Sequence, residues 1–466
     1  MSDTQDYLFT HYQQLAQEVS SNFPRTVDKL SKLVAIPSIA WESFDLSQLD
    51  RSATLVSKFA LEAGFDNVEI LRAHYGPNQK AGMPAVIARK DPAPGFPTVL
   101  FYAHHDVQPV GDRSLWETDP FTATVKGERL YGRGTADDKA GVLAHLAAFS
   151  AVQKVLGSAF KAGVALFIEG EEEAGSPSFS TFIQQYSHKL KSDIIVVADS
   201  ANWQAGTPAL TTSLRGMISG IIQVEVGKHD LHSGVFGGPI LDAHTVLIRL
   251  LASLHDDKGS PAIQGLKSAP EPTVAYSEQA FRQDSGVLDS YVLAGQGSIA
   301  SRLWAQPALS VIGMDIPSIE NSSNTIAATS RAKVSMRLAP GQDPAQAHEL
   351  LKKHLHQHLP WGAKLSYRPQ ESGQAFSTDS SAPAAQLALA AMKQAWGQDP
   401  VETGLGGSIP FIADLKAVFP QAQILITGIE DPDTRAHSPN ESLYLPDFER
   451  AILTEALMLS ALSAGK

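Results

Sequence analysis

The sequence predicts an α/β fold in which a larger domain, with a mixed sheet flanked by helices, is interrupted by a smaller α+β domain of ferredoxin-like order. Short apolar runs alternate with helical patterns through about the first two hundred residues, which is typical of a parallel or mixed sheet with helices on its faces. After Thr211 the order changes to strand, helix, strand, strand, helix, strand, which is the ferredoxin-like order. Beyond residue 382 the alternation of the larger domain resumes.

The elements of both domains follow from these patterns in order. Strands of the larger domain are predicted at MPAVIAR (83–89), TVLFYA (98–103), GVALFIE (163–169) and DIIVVAD (193–199), with a helix over 138–157. After the interruption come the helices AAQLALAAMKQAWG and IPFIADLKAVF, the strand AQILITG and the helix FERAILTEALMLSAL. The smaller domain is predicted to contain MISGIIQVEV, LDAHTVLIRLLASL, PALSVIGMD, AKVSMRLA, PAQAHELLKKHLHQHL and AKLSYRP. The larger domain would span 1–212 and 383–466, and the smaller domain 213–382.

Composition narrows the classes of function. The formal net charge of −12 argues against a nucleic-acid partner, because phosphates require clustered Lys and Arg. There is no cysteine, so any metal ion would be held by His, Asp and Glu. The first two dozen residues lack the apolar core of a signal peptide, and no later segment is expected to reach the length of a membrane span. We therefore expect a cytoplasmic protein without a membrane partner.

Polar side chains follow the apolar strands of the larger domain. The stretch FYAHHDVQPV (101–110) ends a strand with two histidines and an aspartate, and the loop GRGTADDKAG begins a helix with two aspartates. In open α/β sheets the ligand crevice lies at the carboxyl ends of the strands, so these groups should meet at one edge. The groups that converge there are His104, Asp106, Asp137, Asp138, Glu171, Glu172, Glu173, Asp199 and His437.

Each of these groups also has an ordinary structural explanation. Asp137 and Asp138 could cap a helix, the run of three glutamates could be a solvated acidic face, and a histidine near a strand end is usually only hydrogen-bonded. These explanations weaken together, because solvated residues have no reason to gather at one edge of one sheet. Two histidines with three or more carboxylates suit a pair of divalent cations, with Zn²⁺ favoured and Mn²⁺ possible.

The motifs along the chain resemble a known family. They are AHHDVQP, GRGTADDKAG, EGEEEAGS, VADS, DLHSGVFGG, GGSIP and AHSPNE, in family order and at comparable spacing. The sequence is thereby similar to the di-zinc aminopeptidase and aminoacylase-like hydrolases, and within them to the carnosinase-like cytosolic dipeptidases. The resemblance implies a catalytic α/β domain that carries a ferredoxin-like lid and dimerisation domain.

The resemblance also implies roles for matching residues of the larger domain. One metal ion would be held by His104, Asp137 and Asp199, and the other by Asp137, Glu173 and His437, so that Asp137 bridges both ions. The peptide between Asp137 and Asp138 would be cis. Asp106 would orient the His104 ring, and Glu172 would be the general base. His105 would point to the opposite face of its strand and is left out of the site.

The smaller domain would contribute three residues, and the GGSIP loop a fourth. His232, in DLHSGVFGG, would reach the active site of the partner subunit of a homodimer and stabilise the developing oxyanion. Arg337, in MRLAP, and Ser408, in GGSIP, match positions that hold the terminal carboxylate of the substrate, and Thr325 is a looser match. Arginine suits this role because its planar fork pairs with a carboxylate through two hydrogen bonds.

The function predicted from these residues is a metal-dependent dipeptidase that hydrolyses dipeptides or short peptides through a hydroxide bridging two divalent metal ions. An N-acyl amino acid amidohydrolase, such as a deacetylase or desuccinylase, would use the same chemistry on another substrate. The GGSIP loop favours the dipeptidase, because the deacylases of the family carry a threonine-containing version. A non-catalytic peptide-binding homologue would lack a ligand or the base, and this sequence contains all of them.

Overall fold

The structure is a computed structural model that describes residues 2–407 and 410–464. The chain divides into two compact units. The first unit comprises Met1–Thr212, Thr378–Thr403 and Asp414–Lys466, and the second comprises Ser213–Ser377 and Gly404–Ala413. The domain limits expected from the sequence, 1–212, 213–382 and 383–466, stay predictions.

The elements are numbered in chain order. The helices are α1 (Ser2–Val34), α2 (Ser47–Ala63), α3 (Lys139–Leu156), α4 (Phe179–Gln185), α5 (Ser187–Leu190), α6 (Ser233–Phe236), α7 (Ala243–Ala252), α8 (Glu278–Ser285), α9 (Pro344–His358), α10 (Pro383–Trp396), α11 (Pro410–Val418) and α12 (Leu445–Leu462). The strands are β1 (Val68–Leu71), β2 (His74–Tyr75), β3 (Lys80–Ala81), β4 (Ala85–Lys90), β5 (Thr98–His104), β6 (Thr124–Lys126), β7 (Arg129–Tyr131), β8 (Gly163–Glu169), β9 (Ile194–Ala201), β10 (Ala209–Leu214), β11 (Gly216–Glu225), β12 (Leu231–His232), β13 (Ala308–Asp315), β14 (Thr325–Ile326), β15 (Thr329–Leu338), β16 (Lys364–Gly373), β17 (Phe376–Ser377), β18 (Val401–Leu405), β19 (Gln423–Glu430) and β20 (Ser442–Tyr444).

The main sheet of the first unit is mixed, with strand order β1-β4-β8-β5-β9-β19-β10. Its four central strands, β8, β5, β9 and β19, run parallel, and the strands on either side are antiparallel to them. Strand β5 is paired from Thr98 with Gly163 to His104 with Glu169. Because the central strands are parallel, their carboxyl ends lie at one edge of the sheet. The predicted α/β fold with a mixed sheet is confirmed.

Both faces of this sheet are covered. Every residue of β5 and of β8 is buried, as expected for strands between two layers of helices. Val99 and Phe101 of β5 belong to one core cluster with residues of α1, α3, α10 and α12. The next residue, Tyr102, points to the other face, where its ring packs edge-on against Phe167 and Phe179. The alternation of side chains along β5 therefore supplies both cores.

The second unit has the predicted strand–helix–strand–strand–helix–strand order in β11, α7, β13, β15, α9 and β16. These strands form an antiparallel sheet with order β13-β15-β11-β16. Alternate residues of β15 are buried, as expected for a sheet with one covered face. The core of this unit joins Ile222 and Val334 of the sheet to Leu247 of α7 and Leu351 of α9.

Some elements were not predicted from the sequence. They include α1 and α2 near the N-terminus, strand β10, and the segment between α7 and β13 that contains α8. Strand β10 has the sequence ALTTSL and is buried at both ends. Its central residues are polar, so the apolar pattern that predicts a strand is interrupted. One helical segment, Lys139–Ala159, is long and apolar enough to cross a membrane, contrary to the sequence-based expectation. However, 67% of its most apolar window is buried inside the protein, which is typical of a core helix.

Replacing Leu425 by Ala is expected to lower the free energy of unfolding of the first unit by about 2–5 kcal/mol, because the substitution leaves a cavity. Leu425 is fully buried on β19, opposite Val196 of β9. Urea unfolding followed by circular dichroism measures the change. The control is Leu61→Ala on α2, where the leucine is 53% exposed. Equal stability of the two variants would contradict the burial of β19.

Candidate metal centre

The parallel strands bring the predicted ligands to one edge of the sheet in the first unit. Strand β5 ends at His104, and β8 ends at Glu169, just before the run of three glutamates. Asp199 lies in the last part of β9, and the loop after β19 contains His437. Side chains from widely separated parts of the chain therefore meet because their strands are neighbours in the sheet.

Asp137 lies at the centre of this group, just before α3. Its Oδ1 is 3.2 Å from Nε2 of His104, and its Oδ2 is 2.9 Å from Nε2 of His437. The two oxygens of one carboxylate therefore face two different imidazoles. The peptide between Asp137 and Asp138 is cis, as the resemblance implied.

Two groups of three side chains have the donors and the closeness that a metal ion needs. One group is His104, Asp137 and Asp199, and the other is Asp137, Glu173 and His437; in each, the ligand atoms lie within 4.8 Å of one another. Asp137 belongs to both groups. Imidazole nitrogens and carboxylate oxygens are ligands of Zn²⁺, and the oxygen-rich set also suits Mn²⁺. The residues therefore fit a pair of divalent cations that shares one carboxylate.

Asp106 contacts the residues of the site without belonging to either group of ligand atoms. Its Oδ1 lies 3.3 Å from Nδ1 of His104, and its backbone carbonyl oxygen lies 3.2 Å from the same nitrogen. The Asp106 carboxylate also accepts hydrogen bonds from the backbone N–H groups of Glu172 (3.2 Å) and Glu173 (3.0 Å). The fully buried Asp106 carboxylate thus contacts both the ring of His104 and the backbone of the segment that contains Glu172 and Glu173.

The three consecutive glutamates have three different environments. Glu171 is buried, and its carboxylate accepts hydrogen bonds from the backbone N–H groups of Met83 and Ser178. Glu173 lies 3.3 Å from Nε2 of His437. Burial, followed by the negative charge of Asp199, raises the pKa of Glu172 well above its usual range. The Glu171 carboxylate is therefore held by backbone N–H groups, whereas the Glu173 carboxylate faces His437.

Neighbouring charges and burial shift the pKa values of the side chains in this cluster. Hydrogen bonds to Asp137 and then Glu173 raise the pKa of His437 to about 11. Burial opposes protonation of His104, but hydrogen bonds to Asp106 and Asp137 outweigh it and raise the pKa of His104 well above its usual value. Burial raises the pKa of Asp199 to about 6. The raised pKa values favour the protonated, positively charged form of both histidines among these carboxylates. A bound divalent metal ion can supply that positive charge instead of the protons.

Some residues that contact the site were not singled out from the sequence. The Gln108 side chain donates to Oε2 of Glu173 at 2.7 Å, and its backbone N–H donates to Oε1 at 3.1 Å. Gln108 is part of the motif AHHDVQP, so the motif could have indicated that Gln108 contacts the site.

His105, which the sequence analysis left out of the site, is buried, and its Nε2 is 2.8 Å from the carbonyl oxygen of Pro84. His105 therefore has a structural partner and belongs to neither group of ligand atoms.

Three of the remaining predicted site residues, His232, Thr325 and Arg337, lie in the second unit. His232 and Thr325 are exposed and directly paired in the short ladder between β12 and β14. The Nδ1 atom of His232 accepts a hydrogen bond from the backbone N–H of Gly234. Arg337 is half-buried on β15, opposite Met217 of β11. Ser408 lies outside the described residues.

Metal binding is expected to release about one or two protons per chain at neutral pH, because a metal ion binds the neutral imidazole. Hydrogen bonds to Asp137 and Glu173 raise the pKa of His437 to about 11, so we expect its imidazole to be protonated at neutral pH in the metal-free protein. Protons therefore compete with the ion, and metal affinity should rise as the pH increases from about 6 to 9. Calorimetric titration with Zn²⁺ in buffers of different ionisation enthalpy measures the protons released. The variant His437→Ala should release fewer, and an unchanged heat in all buffers would contradict the expectation.

Comparison with known proteins agrees with this geometry. Residues 100–461 match the model of peptidase family M20/M25/M40. The chain is 32% identical over 386 residues to a cysteinylglycine-S-conjugate dipeptidase of Corynebacterium striatum, covering 82% of this chain and 84% of that protein. It is 28% identical to the Beta-Ala-His dipeptidase of Mus musculus, covering 82% and 81%.

The fold also matches solved structures. The dipeptidase Dug1p from Saccharomyces cerevisiae superposes with a TM-score of 0.76 at 26% sequence identity, covering 97% of this chain and 99% of that chain. The predicted resemblance and the predicted enzyme class are therefore confirmed. The chain belongs to peptidase family M20/M25/M40, and within that family it is a metallodipeptidase.

Proposed function

We propose that this metallodipeptidase uses two divalent metal ions, most readily Zn²⁺, held by the two ligand groups that share Asp137. The main observation in support of this proposal is the Asp137 carboxylate, whose two oxygens face Nε2 of His104 at 3.2 Å and Nε2 of His437 at 2.9 Å. A carboxylate that serves two cations needs each oxygen directed to a separate set of ligands. Asp199 completes the first set and Glu173 the second.

Bound metal ions would polarise the scissile carbonyl and lower the pKa of water. Glu172 is the general base in this proposal: its carboxylate takes a proton from the attacking water and later returns it to the leaving amine. Burial and nearby carboxylates raise the pKa of Glu172 well above its usual range. A raised pKa suits this role, because the group must hold the proton between the two steps. Asp106 keeps the His104 ring oriented throughout.

The second unit supplies recognition of the substrate. Arg337 and Arg215 are close enough for the Arg337 charge to contribute to the lowered pKa of Arg215, about 10, after the larger effect of burial. Among the described residues, no carboxylate lies within ion-pair distance of either guanidinium. The Arg215 guanidinium donates to the backbone carbonyl oxygens of Gly406, Arg302 and Gln306. Arg337 is therefore the arginine that is left to bind an anion from outside the chain. We assign that anion as the terminal carboxylate of the dipeptide, with Ser408 and Thr325 as further contacts.

The enzyme is proposed to act as a homodimer through the smaller domain, with His232 of one subunit stabilising the oxyanion in the other. His232 and Thr325 are adjacent and exposed, which leaves them available to a substrate. The cytoplasmic location predicted from the sequence is retained as part of the proposal.

The substrate class follows from the relatives named above. One of them is a cysteinylglycine-S-conjugate dipeptidase and another is a Beta-Ala-His dipeptidase. We propose a dipeptide with a free terminal carboxylate, of the Cys-Gly type. A panel of Cys-Gly, Beta-Ala-His, N-acetyl and N-succinyl amino acids tests this. Hydrolysis of the N-acyl compounds alone would contradict the proposal and favour the amidohydrolase.

Replacing Glu172 by Gln is expected to lower kcat by about 10²–10⁴-fold while the metal content is retained, because the amide cannot accept the proton. Dipeptide hydrolysis and elemental analysis of the same samples measure both quantities. The control is Glu117→Gln, an exposed glutamate paired with Lys126, which should have wild-type activity. Full activity of the Glu172 variant would show that another group is the base.

Replacing Arg337 by Ala is expected to raise KM for dipeptides by about 10–100-fold, because a charge-assisted hydrogen bond contributes about 1.5–3 kcal/mol. Dipeptide amides, which lack the carboxylate, should be affected much less. Steady-state kinetics with both substrates measures the difference. The control is Arg331→Ala on the same strand, where the arginine pairs with Asp315. An equal loss on dipeptides and amides would refute carboxylate recognition by Arg337.

A further inference from the structure

A buried ion pair joins two of the loops that carry predicted metal ligands. Arg133 and Glu441 are at most 1% exposed, and Nη1 of Arg133 donates to Oε2 of Glu441 at 2.6 Å. Arg133 lies before the loop of Asp137, and Glu441 follows His437 in the chain. Isolated charges are costly to bury, so each member of the pair depends on the other.

The Glu441 carboxylate also binds the backbone that leads to the bridging ligand. Its Oε2 accepts from the N–H of Gly134 at 3.1 Å, and its Oε1 accepts from the N–H groups of Ala136 (3.1 Å) and Asp137 (3.2 Å). Gly134 has a φ of 81°, in the left-handed region that favours glycine. The chain therefore curls around one carboxylate, and the last of these amides belongs to Asp137 itself.

Arg133 reaches the other ligand-bearing segments. Its Nη2 lies 3.4 Å from the carbonyl oxygen of Pro109 and 3.5 Å from that of Ser438, which follows His437 directly. His437 has a φ of 61°, a conformation that is uncommon for residues other than glycine and needs support from its surroundings. The guanidinium thus holds the segment after Asp106 and the strained backbone beside His437.

We propose that Glu441 and Arg133 are positioning residues that set the separation of Asp137 and His437, and thereby the affinity of the site for its metal ions. This inference rests on the proposed two-metal function. Neither side chain is a predicted ligand, but both act on the backbone of ligands. Partners of this kind typically contribute 10–100-fold to metal affinity, since ligands must be held within about 0.5 Å of their productive positions.

The test is the variant Glu441→Gln, which keeps the volume but removes the charge and one acceptor. Zinc affinity and stoichiometry are measured by competition with a chromophoric chelator, and urea unfolding of the metal-free protein is measured in parallel. At least one zinc ion should bind 10–100-fold more weakly than in the wild type. The control is Asp447→Asn, because Asp447 is equally buried and bonds Arg450 and the N–H of Gly206. This control should lose stability and keep wild-type zinc affinity.

Wild-type zinc affinity in Glu441→Gln would overturn the inference, as would an equal loss of affinity in Asp447→Asn, which would indicate general destabilisation. If Glu441→Gln does not fold, Arg133→Lys decides in the same assay, because lysine keeps the charge but cannot reach the carbonyl oxygens with a planar fork. A wild-type protein that takes up no zinc would overturn the proposed function together with this inference. Unaltered affinity in the variants beside a zinc-binding wild type overturns the inference alone.

Discussion

The arrangement of the candidate metal ligands in the first unit depends on one carboxylate that faces two histidines. Asp137 lies between His104 and His437, which come from distant parts of the chain. Burial would favour a neutral Asp137, but hydrogen bonds from His104 and His437 lower its pKa below its usual value. The neighbouring groups follow from this arrangement, since Asp106 orients one ring and Glu173 approaches the other. Removing the charge of Asp137 would leave both histidines without their shared partner.

The sheet explains why such an arrangement forms at all. Four adjacent parallel strands deliver their last residues to the same edge, and nearly all of their other side chains are buried in the two cores. The apolar part of each strand therefore fixes where its polar end lies. Function is concentrated at strand ends because that is where the packed layers stop.

Much of this could be predicted from the sequence, for physical reasons. Strand β8 is apolar from Gly163 to Ile168 and ends at Glu169, so its limits could be identified closely. The separate environments of Glu171, Glu172 and Glu173 could not be predicted, because they depend on partners far away in the sequence. Glu171 accepts from the N–H of Met83, whereas the N–H groups of Glu172 and Glu173 donate to the Asp106 carboxylate. The same holds for Glu441, whose partners lie about three hundred residues earlier in the chain. Local patterns carry no information about such long-range hydrogen bonds.

The position of β19 has a consequence for synthesis of the protein. This strand is close to the C-terminal end of the sequence, yet it lies between β9 and β10 in the sheet. While the nascent chain still lacks β19, the apolar edges of β9 and β10 have no neighbour on that side. Unpaired strand edges can pair with other chains, so the ribosome-bound intermediate is open to aggregation until β19 has left the ribosome and paired with β9 and β10. Truncated products of this gene would carry the same exposed edges permanently.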